Sequence, residues 1–137
     1  MTGKCFCGRV AFEFEGPATD IELCHCSRCK RATGAPFAAE FKVPADKFRW
    51  LRGEDLISFF DAPILRNPPA YRRSFCKACG SKVPTVFASN PAVNIPAGLV
   101  DGDVPTRATR HIWMSMKSNW LDLDEICALP QNDRDPS

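Results

Sequence analysis

The sequence predicts an all-β protein, mainly antiparallel sheets with little helix. Three observations carry that expectation. Val10, Phe12 and Phe14 alternate with Ala11, Glu13 and Glu15, the period of two that marks a half-buried strand. Turn-forming residues recur along the chain as Gly16-Pro17, Pro44-Ala45-Asp46, Gly53-Glu54-Asp55, Asn67-Pro68-Pro69 and Asp101-Gly102-Asp103. Twelve prolines suit many turns and few long helices, because proline lacks the N–H that an interior helical position needs.

Taken in order, strands are expected at the Val10 to Phe14 alternation and then at residues 37–43, 48–51, 56–61, 71–75, 83–88, 93–97 and 112–116. Each is a short run rich in β-branched or aromatic residues, bounded by turn signals. Helix is expected only as a turn after Cys29 and another within residues 122–128. A length of 137 residues fits one domain spanning 1–137, with the polar stretch 131–137 as a frayed tail.

Composition narrows the function classes. With 45% hydrophobic and 25% charged residues the chain is globular rather than disordered. A formal charge of +2, with no basic stripe interleaved with aromatics, argues against a nucleic-acid partner. No apolar run approaches the ~18 residues of a spanning helix, so no membrane association is expected. The opening Met1-Thr2-Gly3-Lys4-Cys5 lacks the apolar core of a secretory leader, which points to the cytoplasm.

The informative residues are eight cysteines against two histidines, His25 and His111. Seven of the eight fall into three clusters: Cys5-Phe6-Cys7, Cys24-His25-Cys26-Ser27-Arg28-Cys29 and Cys76-Lys77-Ala78-Cys79. Disulfide scaffolds use scattered partners in oxidising compartments, so clustering without a leader favours metal ligation. The first and third clusters each end in glycine, Gly8 and Gly80, a residue that lets the chain turn tightly behind a ligand. Cys5, Cys7, Cys76 and Cys79 together supply the four sulfurs of a closed structural zinc site. Cys24, Cys26 and Cys29 supply three, leaving the vacant fourth position typical of a catalytic zinc. The competing reading of this trio is a structural site completed by a fourth ligand elsewhere. His25, wedged between two ligands, is expected to point its ring away from the metal, and Cys127 to be a small core residue. Thiolates also hold iron–sulfur clusters, but the division into four and three suits two zinc ions per chain better. Seven thiolates outweigh two divalent ions, so the loaded chain is less basic than its composition.

The run from Cys24 to Lys30 with Gly34, followed by Arg73-Ser74-Phe75-Cys76-Lys77-Ala78-Cys79-Gly80-Ser81, resembles the glutathione-dependent formaldehyde-activating enzyme family, which also includes centromere protein V. Cys5-Phe6-Cys7-Gly8, Ala97-Gly98-Leu99-Val100-Asp101 and Trp120 fit the same pattern. The resemblance implies an Mss4-like arrangement of antiparallel sheets. It implies a structural zinc on Cys5, Cys7, Cys76 and Cys79, and a catalytic zinc on Cys24, Cys26 and Cys29. The activity implied is that of a carbon–sulfur lyase: glutathione joined to formaldehyde as S-hydroxymethylglutathione.

A glutathione site needs cations for two carboxylates, and Arg28, Lys30, Arg31, Arg72 and Arg73 lie nearest the clusters in sequence. Two other functions compete. One is a non-catalytic zinc-binding interaction module. The other is a methionine sulfoxide reductase, which needs a reactive cysteine outside the metal sites. Cys127 is the one available, and its acidic neighbours Asp124 and Glu125 disfavour a thiolate there.

Overall fold

The computed structural model describes residues 1–65 and 70–134. The turn expected at Asn67-Pro68-Pro69 lies outside the described residues, as does the end of the expected tail. Residues 131–134 of that tail are exposed and form neither strand nor helix.

Three groups of strands build the molecule. β1 (Thr2–Lys4), β2 (Ala11–Phe14) and β5 (Phe48–Arg52) form an antiparallel sheet in the order β1-β2-β5. β3 (Ile21–Cys24), β4 (Ala38–Pro44), β8 (Ala92–Pro96) and β9 (Ala108–Ile112) form a second sheet in the order β8-β4-β3-β9. β6 (Ile57–Asp61) and β7 (Arg72–Cys76) form a separate antiparallel ladder. The single α-helix among the described residues, α1 (Ser27–Thr33), follows β3 directly. Among the described residues, no helix is long and apolar enough to cross a membrane.

The period-two reading holds where it was strongest. Val10, Phe12 and Phe14 are fully buried while Glu15 is exposed. Ala11 is buried as well, because the register with β5 shifts between Ala11 and Phe12 and turns one residue out of the simple alternation. Phe12 and Phe14 meet Phe41, Val43, Val93 and Ile95 from the second sheet in one core, with the Phe14 and Phe41 rings 5.6 Å apart. A second, smaller core gathers Cys5, Val10, Cys76 and Val83. The first and third cysteine clusters are therefore each anchored in apolar packing through one buried member, Cys5 and Cys76, while Cys7 is exposed.

Several elements depart from the expected pattern. The strand expected at 112–116 ends at Ile112, because Trp113 adopts a left-handed conformation (φ 58°) and residues Met114–Met116 close a 3-10 turn. The stretch 83–88 makes one isolated bridge, Thr85 with Asn94; Pro84 cannot donate to a ladder. β9, by contrast, lacks any apolar alternation, since its side chains are nearly all exposed. It is held by pairing parallel to β3, the one parallel ladder among otherwise antiparallel pairs. The helical turn expected near 122–128 is a 3-10 turn at Ile126–Ala128.

Phe12 stacks on Phe48 at 5.6 Å and meets the edge of Trp50 at 6.3 Å, so it ties β2 to β5 as well as to the second sheet. Phe12→Ala is expected to lower stability by about 3–5 kcal/mol through lost burial and the cavity left behind. Urea unfolding checks this as a lower midpoint with an unchanged m-value.

Candidate metal centres and active site

The first centre is assembled from two matching turns. Cys5 follows β1; its amide donates to Val10 O at 3.0 Å and its carbonyl accepts from Gly8 N at 3.0 Å. Cys76 ends β7; its amide donates to Ser81 O at 2.9 Å and its carbonyl accepts from Gly80 N at 2.7 Å. Gly8 (φ 79°) and Gly80 (φ 74°) both take the left-handed conformation that closes these turns. The four sulfurs of Cys5, Cys7, Cys76 and Cys79 all lie within 4.8 Å of one another. Cys7 Sγ is 3.6 Å from Cys5 Sγ and 3.9 Å from Cys76 Sγ, and Val10 N donates to Cys5 Sγ at 3.4 Å.

The electrostatics of this cluster show what it is suited to hold. The amides of Ser81 and Cys7 bring the Cys79 thiol down to about 6. Cys7 is helped toward ionisation by the Arg9 amide, yet burial and its bonds to Cys5, Cys79 and Cys76 push it up to about 11. Four sulfurs this close cannot all become thiolates unaided, because each negative charge opposes the next. A divalent cation removes that conflict, and four convergent thiolates are the donor set of a structural zinc site.

The second centre sits where β3 runs into α1. Cys24 is the last residue of β3, Cys26 caps the helix, and Cys29 lies buried in its first turn. Cys26 Sγ accepts from Cys29 N at 3.3 Å, the place an N-cap oxygen would occupy. The three sulfurs also lie within 4.8 Å of one another. Hydrogen bonding to Cys29 holds the Cys24 thiol below its ordinary value, whereas that same bond, together with burial, drives the Cys29 thiol up. This asymmetry again calls for a cation before all three can ionise. Among the described residues, no fourth cysteine, histidine or carboxylate joins this group. Cys127 is exposed rather than a core residue, and stands outside both clusters.

Two neighbours support this centre: Tyr71, which the sequence did not single out, and Arg73, expected there only as a cation for substrate. Tyr71, just before β7, is within hydrogen-bond reach of Cys29, with its hydroxyl 3.7 Å from Sγ. Burial, then the nearby Cys29, raises its phenol well above the usual tyrosine range, so Tyr71 stays a proton donor. Arg73 on β7 bridges the two centres: Nε donates to Ala32 O on α1 at 2.9 Å, and Nη2 to Gly80 O at 3.2 Å. Tyr71 gave only a β-strand signal, and Arg73 only its nearness to Cys76 in sequence, because their partners are brought near by the fold.

Cys24 and Cys29 open onto a cavity of about 420 Å³ over β3, β4 and β9. Its charged lining comprises Asp20, Glu22, Glu40, Lys42 and Arg110. Arg110 pairs with Glu22, while Glu40 is held by Lys82 and Asn94. The cations nearest the clusters in sequence do not line this cavity. Arg28 donates to Pro63 O at 2.9 Å, Lys30 to Met116 O at 2.6 Å, and Arg72 forms a two-pronged pair with Asp61. Arg73 is committed to its bridge, and Arg31 lines a separate hollow with Trp120. The cavity's cations are Lys42 and Arg110, delivered by neighbouring strands of the second sheet.

Small, mainly antiparallel sheets surround one four-thiol and one three-thiol cluster, each of which could hold a metal ion, with the smaller cluster facing a polar cavity. The chain belongs to the glutathione-dependent formaldehyde-activating enzyme family, whose model matches residues 1–116. That family is Mss4-like in fold, in keeping with these sheets. A crystal structure of a Rhodobacter sphaeroides protein is similar in fold, with a TM-score of 0.58 at 23% identity, covering 80% of this chain and 100% of that one. No curated protein matches the chain.

Cys76 is fully buried and joins β7 to the turn after β1. With a metal in this four-sulfur site, Cys76→Ser would remove one of four ligands from an ion that contributes on the order of 10 kcal/mol. That is comparable to the whole stability of an ordinary domain, about 5–15 kcal/mol. The variant is therefore expected to be unfolded at 25 °C, read as loss of the β signature in far-UV circular dichroism.

Proposed function

We propose that this chain is a zinc-dependent carbon–sulfur lyase that joins a small thiol, glutathione, to formaldehyde as S-hydroxymethylglutathione and catalyses the reverse cleavage. Residues 1–137 act as one domain carrying two zinc ions. Cys5, Cys7, Cys76 and Cys79 hold the structural ion, and Cys24, Cys26 and Cys29 the catalytic one. The observation that carries this reading is the three-sulfur group facing a cavity large enough for a small polar thiol. Family membership supports the choice of thiol and aldehyde.

A zinc ion held by three thiolates supplies a vacant position at which an incoming thiol is bound and stabilised as its thiolate. The chain's own residues do the remaining work. Lys42 and Arg110 offer cations to the carboxylates of glutathione, and Asp20 and Glu22 offer carboxylates to its ammonium. These contacts hold the thiol sulfur near Cys24 and Cys29, so attack on the aldehyde carbon becomes a matter of positioning. The new carbon–sulfur bond forms as the carbonyl π bond breaks, and the proton given up by the thiol returns to the new hydroxyl. Tyr71 keeps its proton and directs it to Cys29 Sγ, which steadies that thiolate. Seven thiolates kept reduced suit a cytoplasmic setting.

The wild-type protein is expected to carry two zinc ions per chain and the Cys26→Ser variant one, with the fold retained. Formation of S-hydroxymethylglutathione, followed by exchange NMR, should slow at least about 100-fold in that variant. An unfolded Cys26→Ser protein would show the three-cysteine group to be structural and sink the proposal. Lys42→Ala is expected to raise KM for glutathione about 10-fold with little change in kcat, the pattern of lost uniform binding.

A further inference from the structure

His25 occupies the one position between Cys24 and Cys26 and is fully buried, with no exposed surface at all. Its amide donates to Ile112 O on β9 at 3.0 Å. Cys24 and Ile112 line the cavity, whereas His25 and His111 do not. The alternation of strand side chains sends the two rings to the opposite face of the sheet. There the His25 ring packs against Phe37 at 5.2 Å, and its Nε2 lies 2.9 Å from Nδ1 of His111. Nδ1 of His25 is buried and meets no hydrogen-bond partner among the described residues.

That unpartnered nitrogen assigns the proton. A neutral imidazole has one N–H donor and one bare acceptor nitrogen. A buried N–H without an acceptor is the rarer and costlier omission, so the bare nitrogen falls at Nδ1. His25 then donates from Nε2 to His111 Nδ1, and His111 carries its own proton on Nε2. The bond spans 86 positions in sequence and ties the turn between two site cysteines to the edge strand β9.

We propose that the His25–His111 pair is a positioning latch which, from the far face of the sheet, fixes the Cys24–Cys26 turn and so the spacing of the three reactive sulfurs. The pair touches no substrate and acts only through the backbone on either side of His25. With one residue between the cysteines, the rotation of His25 sets where both neighbouring side chains point. β9, whose side chains are largely exposed, gains a purpose on this view: it delivers His111 to the latch while Arg110 and Ile112 face the cavity. The inference rests on the reading of Cys24, Cys26 and Cys29 as a zinc site.

The test uses zinc-loaded full-length protein, with His111→Leu to remove the acceptor and His111→Asn to restore an oxygen near the place of Nδ1. His111 is on an exposed edge strand, so both variants should fold, as circular dichroism will show. Competition with a chelator should show the second zinc held about 10–100-fold more weakly in His111→Leu and restored to within a few-fold of wild type in His111→Asn, with the first zinc unchanged. A second zinc held as tightly in His111→Leu as in wild type, or as weakly in His111→Asn as in His111→Leu, would overturn the latch. Imidazole 15N NMR of the wild type should place the His25 proton on Nε2; a proton on Nδ1 would overturn it equally. Wild-type protein holding a single zinc is a different result: it refutes the open zinc site itself, and the latch's purpose with it.

Discussion

Four thiols brought within 4.8 Å of one another are the constraint on which the rest of this molecule depends. Mutual repulsion prevents them from ionising together, yet only as thiolates do they bind a metal strongly. A cation at their centre would turn the repulsion into a clamp. Because Cys5 and Cys7 lie near the start of the chain and Cys76 and Cys79 past its middle, such a clamp would close a long loop. Cys5 and Cys76 are themselves core residues alongside Val10 and Val83, so packing and ligation support each other. The two matching turns leave little freedom in how β1 and β7 approach.

β7 carries this order to the second cysteine group. At its end stands Cys76, one of the four clustered thiols, and within it Arg73, which holds carbonyls of both Gly80 and α1. Just before it, Tyr71 reaches the sulfur of Cys29. One short strand thus places a backbone anchor and a sulfur hydrogen bond on the helix that bears the second cysteine group. On the other side, β9 holds the same turn through His25 and supplies Arg110 to the cavity. The three-sulfur group is gripped from two elements distant in sequence, a support that an open metal site would need where no fourth ligand among the described residues fixes its shape.

The charged residues divide their duties according to where the fold takes them. Arg72 lies over the Phe59 ring at 3.7 Å and pairs with Asp61, so it stiffens the β6–β7 ladder. Arg28 and Lys30 satisfy backbone carbonyls of loops far along the chain. Each neighbours a cysteine cluster in sequence, yet none lines the cavity. Lys42 and Arg110 do so because β4 and β9 flank β3, on which Cys24 sits.

Much of this was legible in the residues alone. The antiparallel β character, the strands at Ala11–Phe14 and Phe48–Arg52, and the clustering of seven cysteines into two pairs and one trio are local patterns: side-chain period, turn chemistry and ligand spacing. Local patterns are what a sequence fixes, because they involve residues within a few positions of one another. The parallel pairing of β9 with β3, the left-handed Trp113 that ends it, the burial of His25 against His111, and the approach of Tyr71 to Cys29 were decided only by the tertiary structure. All but the Trp113 conformation join residues dozens of positions apart. Their energies depend on distances that exist only after the sheets have packed, so no pattern along the chain announces them.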